Sequence, residues 1–349
     1  STTTPINFTL KFDKIMNKRI LILLCYLVNL TLTITAQKIF LQTGDEIKGI
    51  YDAEKLADAI SDAEENDVIY LTKGTFGKSD GNYIYISKKI SFVGCGADET
   101  MIANGVIIQL PNGTILPYCL FDGISFNSFS FEISYENYNH DIDNVIFRRC
   151  SFGNSLYFAN GTQHIKNLTF DRCHFNYVLT LGTDIEKVTI KNSWLSALKG
   201  KLADPTLCLI ENCYVEKINS DNEYSSYDIQ NYGGFLRNSI VRTVCGYDGF
   251  GEEVILDHVL YPNVSGVTDK IKEGNNTNPY TTSNIAEIYN DEATLKENNY
   301  LGTDGTVVGY LGGKTPYSLK NYLSNVSSSS LHWDKDNNKV EFKINVNAE

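Results

Sequence analysis

The sequence predicts an all-β solenoid from two observations: a strand-like phrase recurs along the chain, and its copies are spaced almost regularly. The phrase is clearest in NLTFDRCHF (167–175) and KVTIKNSWL (187–195), where apolar and polar residues alternate around a small central residue. Such alternation indicates strands, and recurrence every 20 to 29 residues indicates that each copy forms one coil. The central residue, called position zero, is Cys95, Ile124, Cys150, Cys173, Ser193, Cys213, Ser239 or Val259.

The residues that flank position zero predict two strands joined by a tight bend. Three places before zero the residue is apolar in every copy, and two places after zero it is apolar from the second copy onward. The place just before zero holds Asn192, Asn212 and Asn238, with Gly123 and His258 in other copies. Asn and Gly tolerate left-handed backbone, so we expect a bend there. The side chain at zero then points inward into a small space, which Cys and Ser fit.

A charged residue stands two places before zero in seven successive copies, and its sign alternates without exception. Neighbouring strands of a sheet lie about 4.8 Å apart, so each charge would lie between two charges of opposite sign. This alternation favours a salt-bridge ladder on a solvated face over a ligand-binding strip, because it cancels the field that a charged ligand could use. The ladder residues are Asp122, Arg148, Asp171, Lys191, Glu211, Arg237 and Asp257.

The N-terminal region predicts export. From Met16 the chain has a basic start, an apolar stretch and then the small residue Ala36, the pattern of a secretory signal peptide cleaved after Ala36. Asn29 and several threonines interrupt the apolar stretch, which disfavours a membrane anchor. We therefore expect a secreted or cell-surface protein with no membrane span after cleavage. Residues 1–15 precede the start of this peptide and are left out of the fold prediction.

The charge of the chain limits its partners. The whole chain has a net charge of −12, and loss of Lys11, Lys14, Lys18, Arg19 and Asp13 with residues 1–36 would change it to −15. Such a molecule is a poor partner for nucleic acid and for anionic membrane surfaces. Acidic polysaccharide is also disfavoured unless calcium bridges the two or a local basic strip dominates.

Two segments near the start of the repeats carry a family resemblance. YDAEKLADAISDAEENDVIYLTKGTF (51–76) reads as a helix with Leu56, Ala57, Ile60 and Ala63 on one face, then strand Val68–Leu71 and a Gly-Thr-Phe turn; KKISFVGCGADETMI (88–102) follows as a strand and a glycine pair. With these segments, residues 45–262 resemble the right-handed parallel β-helix proteins of the pectate-lyase-like superfamily. That fold carries lyases, hydrolases, esterases, adhesins and coat proteins, so the resemblance leaves activity open.

The resemblance implies a single-stranded right-handed parallel β-helix with an N-terminal capping helix and a small C-terminal cap or hairpin. We expect four segments: upstream residues and signal peptide (1–36), the β-helix with its N-terminal cap (37–264), a loop-rich closing segment and linker (265–330), and a C-terminal hairpin (331–349). The glycine-rich stretch 304–318 resembles the closing segment of bacterial secreted β-helices. A hairpin could cover the open end of the last coil.

Seven cysteines remain after signal cleavage, and the repeat places most of them on inward files. Stacked side chains keep a spacing of about 4.8 Å, whereas a disulfide brings its Cβ atoms to about 3.8 Å. We therefore expect buried thiols that act as small hydrophobic residues, without disulfides or a metal site. They are Cys95, Cys119, Cys150, Cys173, Cys208, Cys213 and Cys245.

Catalytic residues cannot be assigned from the sequence. Polysaccharide lyases of this fold hold calcium with carboxylates and use an Arg or Lys base, yet the Arg-x-Pro-x-x-Arg pattern of pectate lyases is missing around Arg148, Arg172, Arg237 and Arg242. The polygalacturonase motifs are missing as well. Enzymatic activity therefore stays undecided, and calcium is a possible but unassigned cofactor.

Two insertions, 128–143 and 219–232, combine tyrosines with carboxylates. Tyrosine rings can stack on sugar faces while carboxylates bind hydroxyls or calcium, and the alternative is a pair of solvated loops. The insertions precede position-zero residues four coils apart, or about 19 Å, which suits two subsites on an extended glycan. The ligand-binding candidates are Tyr135, Tyr138, His140, Asp221, Glu223, Tyr224, Tyr227, Asp228 and Tyr232.

The function expected from these observations is binding of extracellular polysaccharide by a secreted or cell-surface β-helix without a recognisable catalytic set. One alternative is a calcium-dependent lyase that acts on a uronate-containing glycan. The other is an adhesin or structural surface protein whose partner is another protein. The ligand and the oligomeric state are left open by the sequence.

Overall fold

The structure is a computed structural model that describes most of residues 37–318 and two strands near the C-terminal end. Residues 37–320 belong to one compact unit, and the two C-terminal strands are described by themselves. The described residues are 37–78, 82–108, 115–116, 118–131, 140–154, 156–158, 163–182, 185–200, 202–218, 233–244, 254–262, 276–277, 280–282, 295, 299–318, 325–334 and 339–347.

Two long sheets, A and B, are built by parallel pairing between successive coils. Among the described strands of these two sheets, only Lys38–Thr43 pairs antiparallel, with its two neighbours in sheet A. In sheet order, sheet A contains Glu46–Asp52, Lys38–Thr43, Val68–Leu71, Ser91–Val93, Cys119–Asp122, Val145–Arg148, Leu168–Asp171, Val188–Lys191, Cys208–Glu211, Phe235–Arg237, Ile255–Asp257 and Asn276–Thr277. Sheet B contains Gly74–Phe76, Tyr83–Ile86, Thr100–Ile108, Ser125–Phe131, Ser151–Phe152, Leu156–Phe158, His174–Leu181, Trp194–Gly200, Tyr214–Ile218, Ile240–Val244, Leu260–Pro262 and Tyr280–Thr282.

The remaining elements are few. Sheet C is short and parallel and contains Ile115–Leu116, His140–Ile142 and Gln163–Ile165. The helical segments are the α-helix Leu56–Asp62 and the 3₁₀ turns Ala53–Lys55 and Pro205–Leu207. The C-terminal hairpin pairs Asn325–Asp334 with Lys339–Asn347. The described chain is thus nearly all-β, with stacked parallel strands, which confirms the predicted solenoid.

The interior of the solenoid consists of straight files of identical or similar side chains. Cys150, Cys173, Ser193 and Cys213 are fully buried, and the residues two places before them pair in register from coil to coil. Phenylalanines stack beside this file, with ring centroids 4.9 Å apart for Phe121 and Phe147. This distance matches the spacing of about 4.8 Å between strands. The single interior file at position zero is therefore confirmed.

The bend before position zero has the predicted left-handed backbone. The φ angle is positive at Asn192, Asn212 and Asn238, at +47°, +51° and +50°, and it is also positive at Gly123 and His258. Seven coils share this conformation, because Arg149 and Arg172 adopt it in two further copies. Both arginines bind ladder carboxylates, Arg149 to Asp122 at 2.6 Å and Arg172 to Asp171 at 2.8 Å.

The seven ladder charges lie in register on sheet A, as the alternation predicts. Arg148 lies 3.8 Å from Asp122 and 3.9 Å from Asp171, measured between the charged atoms. Further along, Glu211 accepts a bond from Arg237 Nε at 2.7 Å and pairs with Lys191 at 3.2 Å. The Arg148 side chain is 41% exposed, so these pairs act on a solvated face and contribute about 0–1 kcal/mol each.

Residues 299–318 form a strap that crosses the outside of several coils. Tyr280 donates a hydrogen bond to the Leu301 carbonyl, Asn238 exchanges two bonds with Thr303, and Asn192 Nδ2 donates to the Gly312 carbonyl at 2.7 Å. Val308 and Tyr310 of the strap pack with Tyr214, Ile240 and Leu260 of the coils in one apolar cluster. The glycine-rich stretch 304–318 therefore packs against the flank of the coils, and the asparagines at the bends bind it.

Several details differ from the sequence-based expectation. The helix buries Leu56, Ala59 and Ile60 while Ala57 is exposed, because the helix is short and its buried face is set by sheet contacts. Gly-Thr-Phe (74–76) is a strand of sheet B rather than a turn. The first hairpin strand begins at Asn325, within the segment expected to be a linker, and its proposed capping role stays a prediction.

The cysteines also need one correction. The described cysteines are thiols rather than disulfides, and Cys119, Cys150, Cys173, Cys208 and Cys213 are buried. Cys95 is partly exposed. Residue 245 lies outside the described residues.

We expect reversal of two ladder charges to destabilise the fold. The double variant Arg148→Glu/Lys191→Glu would place carboxylates side by side across five coils and remove three of the ion pairs. The free energy of unfolding should fall by about 2 kcal/mol. Each kcal/mol lowers the melting temperature by about 2–4 °C. The matched control Arg148→Lys/Lys191→Arg keeps every sign and should melt like the parent. A parental melting temperature for the reversed variant would contradict a stabilising ladder.

The buried thiols should resist alkylation until the chain unfolds. Burial raises the pKa of Cys150 and of Cys213 to about 12 and that of Cys119 further, so little thiolate exists at neutral pH. Peptide mapping should find Cys95 labelled in the native protein and these three thiols labelled only in denaturant without reductant. A thiol that needs reductant before it reacts would reveal a disulfide and contradict the structure.

Candidate functional site

Most of the predicted binding residues belong to segments outside the described residues. Eight of the nine candidates fall there, in 132–139 and 219–232: Tyr135, Tyr138, Asp221, Glu223, Tyr224, Tyr227, Asp228 and Tyr232. Their contacts therefore stay a prediction. The last described residues before these segments are Phe131 and Ile218, the C-terminal ends of two sheet B strands four strands apart. This agrees with the expected separation of about 19 Å.

His140, the ninth candidate, begins the sheet C strand His140–Ile142 and pairs in register with Gln163. At the end of this strand, Asp143 accepts a hydrogen bond from Asn167 Nδ2 at 2.6 Å. That carboxylate therefore has a structural partner in the next coil. In the described part of the chain, no three His, Cys, Asp or Glu side chains gather as metal ligands would.

The outer side of sheet B presents tyrosine rings to solvent. Tyr83 and Tyr85 alternate with the buried Ile84 and Ile86 on one strand, and Tyr177 is exposed on another strand of the same sheet. The exposed fractions are 54% for Tyr83, 48% for Tyr85 and 54% for Tyr177. Large aromatic side chains with this exposure are available for contact with a ligand.

The Cδ1–Cε1 edge of the Tyr83 ring occupies the space above Gly105, its partner in the neighbouring strand. A Cβ atom at Gly105 would lie 2.5 Å from Cδ1 of Tyr83, which is closer than atoms can approach. The absence of a side chain at Gly105 therefore leaves room for the ring over the neighbouring strand and sets the position of the ring, which is 54% exposed. A ring held in this way loses little conformational entropy when a ligand stacks on it.

Exposed asparagines lie between the two groups of tyrosines. Asn154 Nδ2 donates to the Asn127 carbonyl at 2.8 Å, and Asn176 Nδ2 lies 3.5 Å from Ser151 Oγ. An amide has two N–H donors and one acceptor oxygen, so each side chain retains groups that can bond to a sugar hydroxyl. We call this surface the tyrosine–asparagine face, and it consists of Tyr83, Tyr85, Asn127, Asn154, Asn176 and Tyr177.

A separate polar cluster on sheet B contains Tyr214, Glu216 and Arg242. Arg242 Nη1 lies 2.8 Å from Glu216 Oε1, and the Tyr214 hydroxyl donates to Glu216 Oε2 at 3.0 Å. The Glu216 charge raises the pKa of Arg242, and burial raises that of Tyr214. A base that abstracts a proton needs a lowered pKa, so this arrangement suits an ion pair rather than a lyase base.

Sequence reasoning missed the tyrosine–asparagine face. The alternating stretch YIYI (83–86) is a usable signal, because it predicts a strand with both tyrosines on its exposed side. The asparagines are harder to align, since the register shifts between Phe126 and Ser128 and again between Phe175 and Val178. These bulges move the outward residues out of step with position zero.

Comparisons with protein-family models, with curated proteins and with solved structures found no match for this chain. A search of the described residues for a helix long and apolar enough to cross a membrane found none.

His174 connects the strap to the coils and should make stability depend on pH. Its ring lies 3.2 Å from the Tyr317 hydroxyl, measured from Nδ1, and packs against Trp194. Burial lowers the pKa of His174 below its usual 6.5, so protonation favours the unfolded chain. The neutral His174 ring contributes fully to stability above about pH 6.5, the pKa of an unfolded histidine. This contribution is lost as the pH falls through the lowered pKa of His174 in the folded protein.

The variant His174→Phe should therefore lose less melting temperature than the parent between about pH 7 and pH 5. Carboxylates titrate equally in both proteins, so the difference between the two pH profiles isolates this histidine. The matched control is His258→Phe, which removes a different histidine whose ring pairs with Asp257 at 2.7 Å. Parallel profiles for the parent and His174→Phe would contradict a partly buried, neutral His174.

Proposed function

We propose that this chain is an exported or cell-surface β-helix of the pectate-lyase-like type that binds extracellular polysaccharide. The observation that carries the proposal is the tyrosine–asparagine face, which combines stacking rings and amide groups on one side of sheet B. Sugars present apolar ring faces and a rim of hydroxyls, so they match such a surface.

The shape of the scaffold supports a polymeric ligand. Parallel coils place outward side chains in rows along the axis, so a polymer that lies along the axis meets residues from successive coils. The parts of both tyrosine-rich insertions that lie outside the described residues follow the C-terminal ends of sheet B strands, the sheet that carries the face. A long glycan could therefore contact the face and the insertions together.

Affinity electrophoresis through gels that contain different polysaccharides tests this function. We expect retardation in at least one glycan, retained after calcium is chelated, with no product released. Tyr85→Ala should reduce the retardation because it removes an exposed ring, while Leu311→Ala, an exposed strap residue, should not. Migration unaffected by every glycan would contradict binding, and calcium-dependent release of unsaturated product would identify a lyase instead.

A further inference from the structure

We infer that the ligand of the tyrosine–asparagine face is a neutral, linear glycan that lies along the solenoid axis, across the strands of sheet B. This inference rests on the proposed function and adds the chemical class and direction of the ligand. It comes from three features of the described residues: the distance between the tyrosines, the small residues between them, and the charge of the surface.

The tyrosines occupy the two ends of the face. Tyr83 pairs with Gly105, Gly105 pairs with Ser128, and the strand of Tyr177 follows two strands later in sheet B. The two rings therefore stand on strands four spacings apart, or about 19 Å. A ligand that stacks on both rings must be elongated and must run across the strands rather than along one of them.

The floor between the rings is low and uncharged, and its one described aliphatic side chain, Ile107 between Tyr85 and Ser130, is only 4% exposed. Gly105 has no side chain, and Ser128 and Ser130 are short and partly exposed. Asn127, Asn154 and Asn176 stand beside this floor as exposed amides. A flat sugar chain can therefore lie close to the sheet between the tyrosines while its hydroxyls meet amide groups.

The charge of the surface selects against an acidic polymer. Gly105, Ser128, Ser130, Asn127, Asn154 and Asn176 are all uncharged. The cation Lys199 stands on the strand after that of Tyr177, and the backbone N–H of Lys78 bonds to Asn104 beside Gly105. A uronate polymer carries a carboxylate on each acidic sugar, which this neutral floor would leave without a counterion. The net charge of −12 adds long-range repulsion.

The length of the ligand tests the arrangement. We expect neutral oligosaccharides long enough to reach both rings to bind at least about tenfold tighter than short ones, since each stacked ring contributes roughly 1.5 kcal/mol. In Tyr177→Ala this gain with length should disappear while short oligosaccharides bind as before to the other end. Calorimetry against a length series of neutral oligosaccharides, with uronate oligomers in parallel, measures both effects.

A glycine variant tests the pose of the ring without removing it. Gly105→Ala would displace the Tyr83 ring from the sheet and should weaken binding about as much as Tyr83→Ala. The matched control is Gly182→Ala, because a Cβ there meets nothing within 4 Å. Ile50→Ala, on a sheet A strand and 62% exposed, controls for loss of an exposed apolar side chain. Unchanged melting temperatures confirm that each variant is folded.

Each outcome decides a different claim. Neutral binding that grows with length and loses this gain in Tyr177→Ala supports the inference. Neutral binding that ignores Tyr83, Gly105 and Tyr177 overturns this site but leaves polysaccharide binding standing. Tyrosine-dependent binding of uronate oligomers alone overturns the neutral class, and binding of no glycan overturns the proposed function as well.

Discussion

The hydrogen bonds at the bend before position zero hold the solenoid together. A left-handed residue turns the chain from sheet A into sheet B, and the next side chain points inward and back toward the backbone. Ser193 Oγ donates to the Lys191 carbonyl at 2.6 Å and accepts from Cys173 N at 3.0 Å. The hydroxyl thus accepts from a buried amide of the preceding coil, a group that would be costly if left unpaired, and adds a second bond to the Lys191 carbonyl, which also accepts from Arg172 N.

This geometry explains why the repeat uses Cys and Ser at the same position. Cys213 Sγ contacts the Glu211 carbonyl at 3.3 Å, in the same direction as the serine hydroxyl. Size alone would admit alanine, but alanine offers no donor. The structure therefore adds hydrogen bonding to the steric argument from the sequence. The bend also fixes the register, because each coil must meet the next at this point, and the stacked phenylalanines and the charge ladder follow from that register.

Local periodicity made the coils predictable, and long-range contacts account for most of what the sequence did not reveal. The interior file, the bends and the ladder repeat every coil, so their residues identify one another in the sequence. The strap has no such repeat: Asn192 meets Gly312 at a separation of 120 residues. Its glycines were visible, but the coils that it covers were not. The candidate insertions were recognised by composition alone, and their residues lie outside the described parts of the chain.

The tyrosine–asparagine face shows how a repetitive scaffold can carry a specific surface. Inward positions must repeat, because a larger side chain in one coil would press on the coils above and below. Outward positions are free to vary, and the bulges near Asn127 and Asn176 shift them further from the repeat. Gly105 illustrates the consequence, since its missing side chain matters only to Tyr83 in the adjacent coil. Features of this kind depend on a pair of neighbouring coils, which is why the outer surface can differentiate while the interior stays uniform.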